Sequence, residues 1–341
     1  MNFLRSHKAD NRLSISRASY RAGRSVIVAV LVAFMLWHHA TRADDVPLVR
    51  FVEEPARIQI FVGDRPFATY VYQDEKIPRP YFCDVRAPDG TQVTRNHPPV
   101  AGSDPTDHAT YHPGIWLAFG DISGADFWRN RARVEHEKFV EEPVGGARVG
   151  TFAVQNAYVT RDGTTACREM CRYRIIVQQI GCFLLCDSTF FSEERDFVFG
   201  DQEEMGLGIR MATALIVNEG GSIVNSAGLK DEKGAWGTQA AWCDYSGVIG
   251  NRRYGVTLMP HPENFRPSWF HARDYGLLAA NPFGRNAFTG AEKSAVVVKK
   301  GERFRLRFGL FMYAAEVDSV GIPATAYRQY LELVASAQDE G

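Results

Sequence analysis

The chain has 341 residues, of which 45% are hydrophobic and 23% charged, enough apolar surface to build a packed core without disulfides or metals. Lys and Arg total 39 against 40 Asp and Glu, a net charge of −1 that excludes a globally basic nucleic-acid binder. One stretch is continuously apolar, and it is too short for a multi-span membrane protein.

That stretch comes first in the chain. Residues 1–24 carry Arg5, Lys8, Arg12, Arg17, Arg21 and Arg24 with a single acid, Asp10. The apolar run from Ser25 to Trp37 follows, then Thr41-Arg42-Ala43. A basic leader, a core of about a dozen apolar residues and a small residue at the end read as a secretory signal peptide over 1–43, with an uncleaved N-terminal anchor as the alternative. Without residues 1–43 the chain keeps 32 bases and 39 acids, a net of −7. An acidic exported domain over 44–341 is a poor partner for anionic polymers.

Past residue 45 the hydrophobic period is mostly two. Arg57–Val62 and Arg303–Phe308 alternate polar and apolar residues, and 151–159, 167–178, 182–190, 208–217, 253–258 and 294–299 are further strand candidates. Gly63-Asp64, Asp89-Gly90, Asp162-Gly163, Gly220-Gly221 and Gly250-Asn251 mark turns between them. A helical stripe appears only near the end, at Tyr327, Tyr330, Leu331 and Val334, which predicts a helix over 323–337. Many strands and almost no helix predict an all-β antiparallel sandwich or barrel, read as one domain.

The six cysteines are Cys83, Cys167, Cys171, Cys182, Cys186 and Cys243. The pairs 167/171 and 182/186 resemble a four-thiolate zinc site. A hairpin turning near Ile180 would instead set Cys171 opposite about Thr189 and Cys186 opposite Tyr173 or Arg174. Buried free thiols acting as small hydrophobes are the better reading.

Three segments break the strand pattern with chemistry-bearing residues: 107–128, 199–206 and 259–284. They hold His108, His112, His261 and His271, the carboxylates Glu203 and Glu204, and Trp116, Trp128 and Trp269. Histidines serve proton transfer near neutral pH. Aromatic faces stack on sugar rings, while carboxylates, Arg and Asn hydrogen-bond hydroxyls, so the mixture suits a carbohydrate cleft. His112 and His271 are the candidate acid and base, with Glu204 as their carboxylate. His108, Trp116, Trp128, Trp269, Arg273, Asp274 and Asn281 are candidates for binding substrate. Pro105, Pro113 and Gly114 exclude a helical His-x3-His metal pair, although an extended segment would still set His108 and His112 on one face, a metal-ligand alternative.

The blocks Asp107–Trp116, Gly120–Trp128, Trp242–Gly247, His271–Gly276 and Ala280–Gly284 resemble the signature segments of an exported bacterial family labelled PmoA-like, or "methane oxygenase PmoA". In many members the first block reads Asp-His-Pro-His-His-Arg-Gly; here Tyr111 and Pro113 replace a histidine and an arginine, while His108 and His112 remain. The methane monooxygenase subunit behind that label is a multi-span helical protein and cannot share a fold with these strands. The resemblance implies a large sandwich of the galactose-mutarotase type, some of whose enzymes use histidines and a carboxylate on sugars. The expectation is an exported protein acting by proton transfer on a sugar or sugar derivative, whether by mutarotation, epimerisation, elimination or hydrolysis. A non-catalytic carbohydrate- or surface-binding module is the alternative, and a metal-dependent oxygenase ranks third. The expected partner is a small molecule or oligosaccharide and not a nucleic acid, with membrane contact only if the leader stays attached. Cofactor and oligomeric state stay open.

Overall fold

A computed structural model describes residues 46–336. The leader read over 1–43 lies outside them. In chain order the strands are Val49–Glu54 (β1), Arg57–Val62 (β2), Arg65–Val71 (β3), Tyr81–Cys83 (β4), Ile115–Phe119 (β5), Arg133–Gly145 (β6), Val149–Val159 (β7), Thr165–Val177 (β8), Gly181–Phe191 (β9), Phe197–Phe199 (β10), Met205–Arg210 (β11), Ser222–Asn225 (β12), Cys243–Ile249 (β13), Arg252–Pro260 (β14), Trp269–Arg273 (β15), Leu277–Asn281 (β16), Val296–Val298 (β17) and Arg303–Glu316 (β18). The α-helices are Asp231–Ala235 (α1), Arg285–Thr289 (α2) and Ile322–Ser336 (α3). None is long and apolar enough to cross a membrane.

Two eight-stranded antiparallel sheets carry the fold. The first runs β1-β2-β3-β4-β5-β11-β16-β15 and the second β12-β13-β14-β18-β9-β8-β7-β6. The predicted all-β antiparallel sandwich is therefore what the chain forms. Ile60, Tyr70, Leu117, Leu207 and Leu278 of the first sheet belong to one core with Phe152, Val154, Tyr173, Leu184 and Met312 of the second. Each such side chain contributes on the order of 1.5–3 kcal/mol by leaving water. Strand β18 outruns the predicted 303–308 because residues 306–315 are buried throughout. It lies between β14 and β9 in the middle of its sheet, so neither edge faces water. The long strand β6 was missed: it is an edge strand with four Glu and one Lys, charges that blunt both the hydrophobic alternation and the exposed edge.

The strand expected over 208–217 ends at Arg210, and two 3-10 turns, Thr213–Leu215 and Val217–Glu219, replace its second half. The Tyr245 hydroxyl accepts from the Val217 N–H there, so the backbone is satisfied without a ladder. The hairpin of β8 and β9 turns as expected: Cys186 faces Tyr173, and Cys171 faces Ser188, one residue from the expected Thr189. All six cysteines are buried and unpaired, the Cys171 and Cys186 sulfurs 3.5 Å apart.

Because side chains alternate along strands, each sheet also has an outer face. On the second sheet α3 covers Phe183, Leu185, Phe311 and Tyr313. On the first, Val71, Tyr81, Trp116, Trp128 and Ala279 form a separate apolar layer. Parts of all three polar segments gather on this outer face of the first sheet, while 259–264 stays with β14 and β18 of the second.

Candidate functional site

Register sets out the floor of the site. Trp116 on β5 pairs with Gly208 on β11, Gly208 with Ala279 on β16, and Ala279 with His271 on β15. Directly paired residues share a face, so these four form one row. Beside it, Ala118 pairs with Gly206 on one side, and Arg210, Leu277 and Arg273 make a row on the other. The middle of the floor is thus made of Gly and Ala. A Cβ on Gly208 would stand 2.8 Å from Cζ2 of Trp116 and 3.0 Å from Cη2 of Trp128, so only glycine lets the two indoles lie over β11.

One wall is aromatic. The His112 ring stacks on Trp116 (4.9 Å, 10°), His108 on His112 (4.8 Å, 19°), and Tyr275 on His108 (6.1 Å, 14°). Trp128 meets Trp116 edge-on at 5.2 Å. Three buried arginines hold the loops that carry these rings. Arg95 donates to the carbonyls of Pro105, Asp107 and His112 at 2.9, 2.8 and 3.2 Å. Arg79 donates to the carbonyls of Phe127, Trp128 and Tyr111. Arg210 grips both carboxylate oxygens of Asp107 at 2.8 Å. A guanidinium supplies five donors in a fixed fork, which suits loops whose carbonyls lack a ladder. Burial alone would raise the Asp107 carboxyl, but hydrogen bonds from Arg210 and His108 and the arginine charges hold it well below the usual range.

Burial first, and then the neighbouring His108 ring and the charges of Arg210, Arg79 and Arg95, push His112 far below the ordinary histidine value, so its ring is neutral at pH 7. Both its nitrogens, and the indole N–H groups of Trp116 and Trp128, are buried without a hydrogen-bond partner among the described residues. Buried polar groups are rarely left so. Four such atoms cluster on this wall.

The other wall is charged. The Nε–H of Arg273 donates to Nε2 of His271 at 2.9 Å, which fixes the His271 tautomer with its proton on Nδ1. That Nδ1 is buried and unpartnered among the described residues. Burial first, and then the Arg273 charge, lowers His271 to about 3. Arg273 also reaches Glu232 (2.8 Å) and Glu203 (3.4 Å), and lies over the Trp236 ring at 5.5 Å. The carboxylate beside His271 is Glu203, 3.7 Å from Nε2, whereas Glu204 pairs with Arg129. Arg129 further holds Asp126 and Gln202, tying the Trp128 loop to the 199–206 segment.

His108, His112, Trp116 and Trp128 therefore meet on one wall, and His271, Arg273 and Glu203 on the other. His112 and His271 do not touch. Two strand spacings, about 10 Å, separate His271 from Gly208, over which the Trp116 ring lies. Asn281 is enclosed: its amide donates to the carbonyls of Gln202 (2.7 Å) and Glu203 (3.0 Å) and accepts from the N–H groups of Phe283 and Gly284, so it fixes the carboxylate loop. Asp274 accepts from the Glu232 N–H at 2.8 Å and so sets the Glu232 carboxylate against Arg273. Trp269 stacks on Phe288, with Arg266 over it at 5.7 Å. The parallel rings of His108 and His112 carry their lone pairs in parallel planes, and His108 Nδ1 is bonded to Asp107 at 2.8 Å. That pair does not converge on one ion. His261, in the third segment, lies against Tyr330 of α3, on the far sheet.

Sequence reading missed Arg79, Arg95, Arg129, Arg210, Glu232, Trp236 and Tyr275. Arg210 did leave a signal, as the one charge in the otherwise apolar run Met205–Met211.

Among solved structures, the chain is similar to the GH36 α-galactosidase AgaB of Geobacillus stearothermophilus, at 11% identity and a TM-score of 0.42, over 79% of this chain and 41% of that one. It is similar to the α-galactosidase of Lactobacillus brevis at 7% identity and a TM-score of 0.39, over 81% and 40%. A galactose mutarotase-like protein of Lactobacillus casei gives 10% identity and a TM-score of 0.33, over 78% of this chain and all of that one. The chain spans about two fifths of the length of the α-galactosidases. No curated protein matches it. The family of unknown function DUF6807 matches residues 57–326, and the chain belongs to that family.

Proposed function

We propose that the outer face of the first sheet is the site of an exported enzyme that moves a proton on a sugar or sugar derivative. The observation that carries this reading is the group of unpartnered ring nitrogens: His112 Nδ1 and Nε2 and the Trp116 and Trp128 N–H groups on one wall, His271 Nδ1 on the other. A small ring held between the walls would meet donors and an acceptor at both edges. His112, neutral and with one bare nitrogen, is the base. His271, neutral and locked by Arg273 as the Nδ1–H tautomer, donates to the oxygen on which charge develops, as a neutral imidazole can when its pKa is depressed. Arg273, held by Glu232 and Glu203, keeps that tautomer in place, and Asn281 holds the Glu203 backbone.

A binding module would display its tryptophans as an open platform. Trp116 and Trp128 are instead 1% and 0% exposed and packed edge to face, so they form no such platform. The basic leader over residues 1–43 supports export. The test is a screen of the purified protein against neutral and oxidised sugars, following isotope exchange from solvent into the sugar, with and without chelator. Turnover lost in His112→Ala while the sugar still binds supports the assignment. Unchanged turnover in His112→Ala overturns it, and binding without any turnover returns the site to the binding-module reading.

A further inference from the structure

On the opposite side of the molecule, a cavity of about 100 Å3 opens between α3 and the outer face of the second sheet. Its rim is a ladder of arginines set by register. Arg172 on β8 pairs with Asp187 on β9, and Asp187 with Arg307 on β18, while Arg174 and Arg305 stand one outward position away on either side. Arg172, Arg174, Arg305 and Arg307 all line the space, against a single lining carboxylate, Asp187.

Asp187 is taken by Arg305, whose Nε donates to it at 2.7 Å. Arg172 and Arg307 are held from outside the cavity by Glu141 and Glu263. Arg174 has no carboxylate partner among the described residues, only the Leu333 carbonyl at 3.4 Å. The helix contributes Tyr330, whose ring rests on Gly309: a Cβ there would stand 2.8 Å from Cδ2 of the phenol. Tyr330 is fully buried, and its hydroxyl, at the same cavity, has no hydrogen-bond partner among the described residues. Leu185 and Val334 close the space with apolar surface.

We propose that this cavity binds an oxyanion group — phosphate, sulfate or carboxylate — between Arg174, its neighbouring arginines and the Tyr330 hydroxyl. The space of about 100 Å3 admits one such group. The excess of guanidinium over carboxylate sets the sign of the ligand. Arginine forks match oxyanion geometry, and the apolar walls strengthen each charge-assisted bond.

The experiment is calorimetry and thermal unfolding of the full chain with sodium phosphate, ionic strength held constant with sodium chloride. Arms with sulfate and glucuronate distinguish a free inorganic ion from the acidic group of a sugar. Saturable phosphate binding that raises Tm, weakened about tenfold or more in Arg174→Gln and in Tyr330→Phe, is expected. Circular dichroism of both variants without phosphate shows that they remain folded. No saturable effect beyond chloride in any arm, or binding unchanged in both folded variants, overturns the proposal.

Discussion

Lowering the pH from 7 to 5 should destabilise this protein through His271. In the unfolded chain a histidine titrates near 6.5; in the fold, burial and then the Arg273 charge bring His271 down to about 3. Between these values the unfolded chain holds a proton that the folded chain rejects. Stability is therefore complete above about 6.5 and falls as pH falls toward 3. At about 1.4 kcal/mol per pH unit once the unfolded histidine is fully protonated, His271 removes about 2 kcal/mol between pH 7 and 5, and about 5 kcal/mol over the whole window. His112, pushed down mainly by burial, acts in the same direction, while Asp107 is held too low to titrate in this range. Urea unfolding followed by tryptophan fluorescence at pH 7, 6 and 5 measures the effect in the parent and in His271→Gln. Glutamine keeps an acceptor for the Arg273 Nε–H but cannot titrate. The variant's stability should fall by about 2 kcal/mol less than the parent's between pH 7 and 5, whatever its offset at pH 7. Equal pH slopes would refute the picture of His271 as a buried neutral donor.

Gly208→Ala should cost about 1–3 kcal/mol, as overpacking does, because the new methyl stands 2.8 Å from the Trp116 ring, and on the proposed reading it abolishes sugar binding; chemical unfolding and titration calorimetry measure both. Asp107→Ala should cost about 2–3 kcal/mol in the same unfolding assay, less than a fully enclosed pair, since it strands the buried Arg210 while Asp107 itself keeps contact with water. Asn281→Leu should free the Gln202 and Glu203 carbonyls, costing about 2–4 kcal/mol and opening residues 200–204 to limited proteolysis; a digestion pattern like the parent's would contradict its role as a clamp.

Strand existence was legible where one face of a strand is polar, as in Arg57–Val62, and in the apolar run of β9; the extent of β18 was missed where both its faces are buried, and β6 was missed because its charged edge blunts the alternation. The site segments were legible by composition because His, Trp and Glu crowd where solubility alone would not ask for them. Their assignment to walls was not, because it rests on a pairing between β5 and β11, some 90 residues apart, that no local pattern encodes. The choice of Glu204 over Glu203 failed for a related reason. Both precede the first paired residue of β11, so strand parity does not yet apply to them, and the Asn281 bonds to the loop carbonyls decide which carboxylate reaches Arg273. Gly206 and Gly208 show how the two levels join. In sequence, two glycines weaken a strand assignment, since each costs backbone entropy and packs nothing. On the sheet, Gly206 has φ 101° and a Cβ there would collide with the Ala280 carbonyl oxygen, while Gly208 lies beneath two indoles, so a side chain at 206 would push on the β16 backbone and one at 208 on the aromatic wall. A floor with Gly and Ala at its middle between walls of unpartnered ring nitrogens costs stability in any protein that does not use it. That cost is the physical reason to look for the ligand here.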